Sequence, residues 1–236
     1  MKILSIECSA SPCSVAVCED EKIIASAFIN QKITHSQTLI PLVESLLKSS
    51  KLTFDSIDCY AVSNGPGSFT GIRIGISAVK GLAAKDKKPC IGVSTLSAMA
   101  ENYYDRNCIV CAVMDARCNQ LYNALFEINN NEITRLTEDR ALLCEELKSE
   151  ILNLKSDKEI IIVGDGADVF YPYVKDISKI SISSRNKKYQ NAVGVSFAAQ
   201  KLYNSGNILS PDEILPVYLR LPQAERELKL KKELKK

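Results

Sequence analysis

With 236 residues, 46% of them hydrophobic, the chain is long enough to bury one large core or two modest ones. Its 30 basic and 28 acidic side chains leave a formal charge of +2, and the only basic cluster is at the very end, which argues against a protein built mainly to grip nucleic acid. No run of about 18 apolar residues occurs, so no membrane-crossing helix is expected.

The chain opens on strand-like Ile3-Leu4-Ser5-Ile6, with Glu7 where a signal peptide would continue its apolar core. No signal peptide and a cytoplasmic location are therefore expected. The nine cysteines are scattered. Cys108 and Cys111 have C-x-x-C spacing, but within a strand an offset of three sends the sulfurs to opposite faces. Buried, reduced thiols are the expectation.

Residues 2–6 read as a buried strand that delivers Glu7 to its C-terminal end, and residues 14–18 as a second strand. A polar turn at Glu19-Asp20-Glu21-Lys22 leads to a third strand over 23–29. Thr34, three residues before Gln37, predicts a capping box at a helix start. In that helix Leu39, Ile40, Leu42, Val43, Leu46 and Leu47 make an apolar face wider than one sheet contact requires.

A β-branched and aromatic run, 57–62, then enters Asn64-Gly65-Pro66-Gly67-Ser68-Phe69-Thr70-Gly71. Gly65 and Gly67 suit positive φ, and Ser68 or Thr70 suits the cap of a helix opening near Gly71. The stretch is either a tight turn that packs a helix close to a sheet or an anion site at that helix start. It is not a Walker A loop, because the Gly-Lys-Ser/Thr ending is missing. Along the helix Ile72, Ile76, Val79 and Ala83 form one apolar stripe. Gly71, Gly75, Ala78 and Leu82 form a neighbouring, mostly small stripe suited to close approach of another helix, and Arg73 and Lys80 share the remaining side.

From Cys108 the pattern repeats. A strand over 109–114 ends in Asp115, a second covers 121–126, and a third begins at Ile133. A helix over about 140–152 and a strand over 159–163 follow, running into Gly164-Asp165-Gly166. Strand, acid, two strands, helix, strand and glycine turn thus occur twice, which predicts an internal duplication with lobes at 1–106 and 107–236. A helix near 191–203 and a final helix opening at Pro222 with a basic end complete the chain.

Two such units resemble the actin/Hsp70/sugar-kinase fold, an α/β, ribonuclease H-like, two-lobed architecture with mixed sheets. The closer resemblance is to the TsaB (YeaZ) family. Ile6-Glu7-Cys8-Ser9, His35-Ser36-Gln37-Thr38-Leu39, the Gly65 to Gly75 block, Gly92-Val93-Ser94-Thr95-Leu96, Asp115-Ala116-Arg117 and Tyr218-Leu219-Arg220 stand in that family's order. The resemblance implies a non-catalytic subunit of the complex that moves a threonylcarbamoyl group from threonylcarbamoyl-AMP to N6 of adenosine 37 in tRNA. It implies a TsaD-like catalytic partner, a TsaE-like ATPase, and tRNA reached through the complex; homodimers are expected when the chain is alone, because an exposed patch like that of the two helices seldom stays bare. No tightly bound cofactor is implied, with ATP or ADP only at the complex interface.

The two helices supply the expected partner interface: His35, Leu39, Leu42, Val43, Leu46, Gly71, Arg73, Ile74, Gly75, Ala78 and Leu82. Glu7, Ser9 and Asp115 mark an expected vestigial nucleotide cleft. Two departures from the family fall there. Glu7-Cys8-Ser9 replaces Asp-Thr-Ser, and Cys118-Asn119-Gln120-Leu121-Tyr122 replaces Arg-Gly-Glu-Val-Tyr. The extra methylene of Glu7 would crowd a metal-bound phosphate.

The competing reading is an autonomous ATP-binding transferase or kinase using Glu7 and Asp115 to hold Mg²⁺. A metallopeptidase is not expected, since a single histidine, His35, cannot form the His-x-x-x-His metal pair of the catalytic relatives. No cysteine or carboxylate cluster shows zinc-site spacing, so no metal site is expected. Ser68, Ser9 and Ser14 lack a nucleophile elbow.

Overall fold

The computed structural model describes residues 1–31 and 33–220. The first lobe contains β1 (Lys2–Glu7), β2 (Cys13–Glu19), β3 (Lys22–Ile29), α1 (His35–Ser49), β4 (Cys59–Gly65), α2 (Phe69–Ala84) and β5 (Cys90–Ser94). After α3 (Thr95–Glu101), the second lobe contains β6 (Cys108–Asp115), β7 (Gln120–Asn129), β8 (Glu132–Arg135) and β9 (Arg140–Leu143). It continues with α4 (Cys144–Asn153), β10 (Ile160–Val163), α5 (Ala167–Val174) and β11 (Ile180–Ile182), and α6 (Ala192–Asn204) follows.

The duplication is visible in the sheets. The first has the order β3-β2-β1-β4-β5 and the second, read from its far end, β8-β7-β6-β10-β11. In each, the strand that ends in an acid pairs antiparallel with the next strand and parallel with the strand after the helix. This is the α/β, two-lobed, mixed-sheet architecture of the actin-like fold.

Each sheet is covered on both faces. Leu4, Ile6, Val15 and Val62 face α1 and α2, whereas Ile3, Ala61 and Val93 face α6. The offset of three between Cys108 and Cys111 does separate them. Cys108 joins the core against α3, and Cys111 the core against α4 and α5.

Four expectations need correction. The Thr34 side chain makes no capping hydrogen bond; its carbonyl accepts from the Gln37 amide and the Thr38 hydroxyl instead. Residues 140–143 form β9 rather than the first turn of α4, because β8 pairs with only 126–129 and leaves the first half of β7 open for them. Most of the wide apolar face of α1 is used within its own lobe, where Leu39, Val43, Leu46 and Leu47 are buried in the first core, which leaves Ile40 and Leu42 at its outer edge.

The fourth concerns the return of the chain. Although it follows the second lobe, α6 covers the first sheet, with the Ser196 hydroxyl donating to Ser5 Oγ at 2.7 Å and Lys201 paired with Glu101 at 2.7 Å. Residues 207–218 then run back along the first lobe as a strap. Leu209 bridges to Cys90, Ile214 is fully buried in the first core, and the Val217 amide donates to Asn64 O at 2.7 Å. Burying Ile214 fixes the strap, since an aliphatic side chain of this size contributes about 1.5–3 kcal/mol when removed from water. The expected final helix from Pro222 and its basic end lie outside the described residues.

Ser68 is the N-cap of α2, its Oγ accepting from the Gly71 amide at 3.2 Å. A Cβ on Gly71 would run into the Cys8 carbonyl, whereas one on Gly81, further along α2, would meet nothing. Gly71→Ala should therefore cost about 1–3 kcal/mol in urea unfolding, as overpacking does. Gly81→Ala should stabilise by about 0.5–1 kcal/mol through helix propensity. Equal effects from the two substitutions would contradict this packing.

Candidate functional site: the interlobe cleft and the outer edges of α1 and α2

A cleft of about 920 Å³ lies between the lobes, lined by Ser9, Ser68, Asp115, Arg117, Asp165 and Arg220 among others. Its floor on one side is the glycine turn, where Gly65 and Gly67 both adopt positive φ. The turn is filled by the chain itself. The Ser68 amide donates to Ser9 O at 2.6 Å, and a side chain on Gly65 would strike the Val217 carbonyl. The glycines serve close packing of three backbones, which favours the packing reading over a phosphate cradle. On the opposite wall Arg117, Cys118 and Asn119 all hold positive φ in the tight turn after Asp115.

The expected acids part company here. Ser9 and Asp115 line the cleft, but Glu7 does not. Strand alternation puts Glu7 on the α6 side of β1 with Ile3 and Ser5, and the residue is fully buried. One carboxyl oxygen accepts from the Ser9 amide at 2.6 Å and the other from the Ser63 hydroxyl. Burial raises its pKa, partly opposed by those bonds. Asp115 Oδ1 accepts from the Arg117 amide at 2.7 Å.

Asp165, from the Gly164-Asp165-Gly166 turn, is the acid that sequence reasoning left out. Burial raises its pKa above 3.8, and the Asp115 charge adds to this. The Gln190 amide, donating at 2.7 Å, opposes the shift.

The second set of residues was expected on a partner-facing surface. Gly71 and Gly75 are buried under Cys8, Val62 and Ile6, so the glycine half of the small stripe of α2 meets the ends of β1 and β4. Arg73 is already engaged: its Nε donates to the Tyr218 hydroxyl at 2.7 Å, and its guanidinium lies 3.9 Å from the centre of the Phe69 ring. Phe69 and Tyr218 stack at 4.6 Å. Lys80 donates to Asp212 O at 3.1 Å, so both cations of α2 hold the strap. Leu42, Ile74, Ala78 and Leu82 remain half-buried at the edges of the first core, and Ile40 is 39% exposed on α1.

His35, the first residue of α1, turns inward. Its Nε2 lies 2.8 Å from Ala10 O, and its Nδ1 is buried with no oxygen or nitrogen partner. One ligand atom each from Cys8, Cys13 and His35 lies within 4.8 Å of the others. This overturns the expectation that no such cluster forms. The signal was in the hairpin register: Glu7 opposes Ser14, so Cys8 and Cys13 occupy the next rung. The Cys8 thiol, and then His35, lower the Cys13 thiol from 9.0 to about 6 against the opposing effect of burial.

The chain can now be set beside known proteins. A family model described as "TsaD: tRNA N6-adenosine threonylcarbamoyltransferase" matches residues 22–226. The tRNA threonylcarbamoyladenosine biosynthesis protein TsaB of Escherichia coli is 32% identical over 97% of this chain and 98% of its own. The chain belongs to the TsaB (YeaZ) family. The solved YeaZ of Pseudomonas aeruginosa superposes with a TM-score of 0.77 at 25% identity, covering 92% of this chain and 99% of that one. Component A of (R)-2-hydroxyglutaryl-CoA dehydratase from Acidaminococcus fermentans shares the fold alone, with a TM-score of 0.52 at 10% identity over 88% of this chain and 99% of that one. No helix among the described residues is long and apolar enough to cross a membrane.

For Asp165 the sign of the pH effect follows from its raised pKa. The folded state holds the proton more tightly than the unfolded one. The contribution of this group is therefore complete below 3.8 and is lost as pH rises through the folded value. Asp165→Asn should gain stability relative to the parent as pH rises above 3.8. Urea midpoints of both proteins across that range check it, and a constant difference would contradict the assignment.

Proposed function

We propose that the chain is a non-catalytic subunit in the synthesis of threonylcarbamoyladenosine on tRNA. It supports a TsaD-type transferase that moves the threonylcarbamoyl group from threonylcarbamoyl-AMP to N6 of adenosine 37. The observation that carries the non-catalytic reading is the sealed Glu7. An acid that holds Mg²⁺ or activates water must reach the reacting atoms. Glu7 is fully buried, with both carboxyl oxygens occupied by Ser9 and Ser63.

The partner follows from likeness. The description that matches residues 22–226 is that of the transferase itself, and related folds can pair through equivalent faces, as the two halves of a twofold interface do. The docking face comprises the outer edges of α1 and α2, with Ile40, Leu42, Ile74, Ala78 and Leu82 as its apolar part. The buried Leu39, Val43, Leu46, Gly71 and Gly75 support these positions from beneath. In the absence of the transferase the same face pairs two copies of this chain. A TsaE-type ATPase and tRNA join through the complex, and ATP or ADP enters only at its interface. The protein works in the cytoplasm.

The test uses the chain co-expressed with the TsaD-type transferase of its own source, in a host depleted of its own TsaB. Threonylcarbamoyladenosine in tRNA is quantified by mass spectrometry. Glu7→Gln and Asp115→Asn should keep wild-type levels. Ala78→Arg should lose both co-purification and the modified nucleoside while melting like the parent. If Glu7→Gln folds and keeps its partner but abolishes the modification, Glu7 belongs to the chemistry and the non-catalytic reading fails. If Ala78→Arg still co-purifies with the transferase, the docking face is wrong.

A further inference from the structure

We propose that Cys8, Cys13 and His35 form a binding site for a thiophilic divalent cation of the Zn²⁺ class, at the point where the β1–β2 turn meets the start of α1. The two cysteines face each other across the turn at residues 9–12, and the helix start places the imidazole beside them.

The distances suit the ion. Two thiolates each about 2.3 Å from a tetrahedral zinc stand about 3.8 Å apart. Cys8 Sγ and Cys13 Sγ are 3.8 Å apart, and one ligand atom from each of the three residues lies within 4.8 Å of the others. The histidine is arranged as a ligand with outer-shell support. Ala10 O can only accept, so Nε2 carries the proton and Nδ1 keeps its lone pair. Metal-bound histidines characteristically donate their second ring N–H to a carbonyl or carboxylate in this way. Nδ1 is left buried with no oxygen or nitrogen partner; the imidazole's neighbour is the Cys13 thiol, a weak donor that a cation set between the two would displace.

Charge and access agree. On binding, each thiol releases its proton, so two thiolates and a neutral imidazole balance the 2+ charge and leave a buried centre of zero net charge. His35 lines the interlobe cleft while the cysteines do not, so the ion enters past the imidazole. A fourth position remains for water, as in other three-ligand zinc sites. The bound ion would tie the β1–β2 turn, whose Ser9 carbonyl holds the α2 cap, to α1. This inference is independent of the role proposed for the chain in tRNA modification.

The experiment uses the full chain, stripped with a chelator and kept in a phosphine reductant so that no disulfide competes. Co²⁺ serves as the spectroscopic probe. Thiolate-to-cobalt charge-transfer absorption should saturate at about one equivalent and be bleached by Zn²⁺. Cys13→Ser and His35→Ala should each weaken binding by more than about tenfold, the scale seen even for outer-shell partners. Cys118→Ser, at an exposed position remote from the cluster in sequence, should change nothing. Zn²⁺ should raise the melting temperature of the parent but not of His35→Ala, which keeps the test readable if Cys13→Ser fails to fold. Absence of charge-transfer absorption at one equivalent would overturn the proposal. So would absorption that survives in both Cys13→Ser and His35→Ala, or that is lost in Cys118→Ser.

Discussion

The structure depends on one backbone junction. At the end of β4 the glycine turn must let three chain segments touch: the turn after β1, the turn itself, and the strap that returns after α6. The Ser68 amide donates to Ser9 O, and the Val217 amide donates to Asn64 O. Side chains cannot fit at either contact. A Cβ on Gly67 or Gly71 would collide with Ser9 or Cys8, and one on Gly65 with Val217. Buried amides and carbonyls are costly when unpaired, so the three backbones are bound to the same register. Through β1 that register reaches Glu7, Cys8 and Ser9, and through Arg220, which donates to Ala116 O, it reaches the far lobe.

Several features of the cleft follow from this junction. In an open turn, the start of α2 would offer amides to an anion. Here the Ser68 and Gly71 amides are already used by Ser9 O and Ser68 Oγ, and the strap lies against Gly65. The same extra methylene that distinguishes Glu7 from a shorter aspartate lets its carboxyl reach both the Ser9 amide and the Ser63 hydroxyl. The acid becomes a brace between β1 and β4. A chain that spends its cleft residues on itself is consistent with a role exercised through its outer surface.

Much of this was legible in the residues. Alternation and glycine punctuation placed β1, β2, β3 and β6 within a residue or two. The repeat of a strand ending in an acid predicted two sheets of one strand order. What failed did so for tertiary reasons. The breadth of the α1 apolar face overstated how much of it is left for docking, because a single helix pattern does not reveal how many neighbours it has; Leu46 and Leu47 are buried in the core of their own lobe. Residues 140–143 carry a helical pattern, yet the open rungs of β7 claim them. The joining of Cys8, Cys13 and His35 needed both the hairpin register and the position of α1, and spacing along the chain shows neither. Nothing local in 207–218 announces that it will cross back to α2, since its anchors, Arg73, Lys80 and Asn64, lie more than a hundred residues away.

Amide hydrogen exchange tests the junction most directly. If strap, turn and first strand are one cooperative unit, the Ser68 and Val217 amides exchange only through global unfolding. Their rates would then match those of Ile6 and Val62 in the sheet and respond to denaturant with the same steep slope. A Val217 amide that exchanges as fast as the α1 surface, with little denaturant dependence, would mean that the strap opens by itself and that the junction does not hold the two lobes in register.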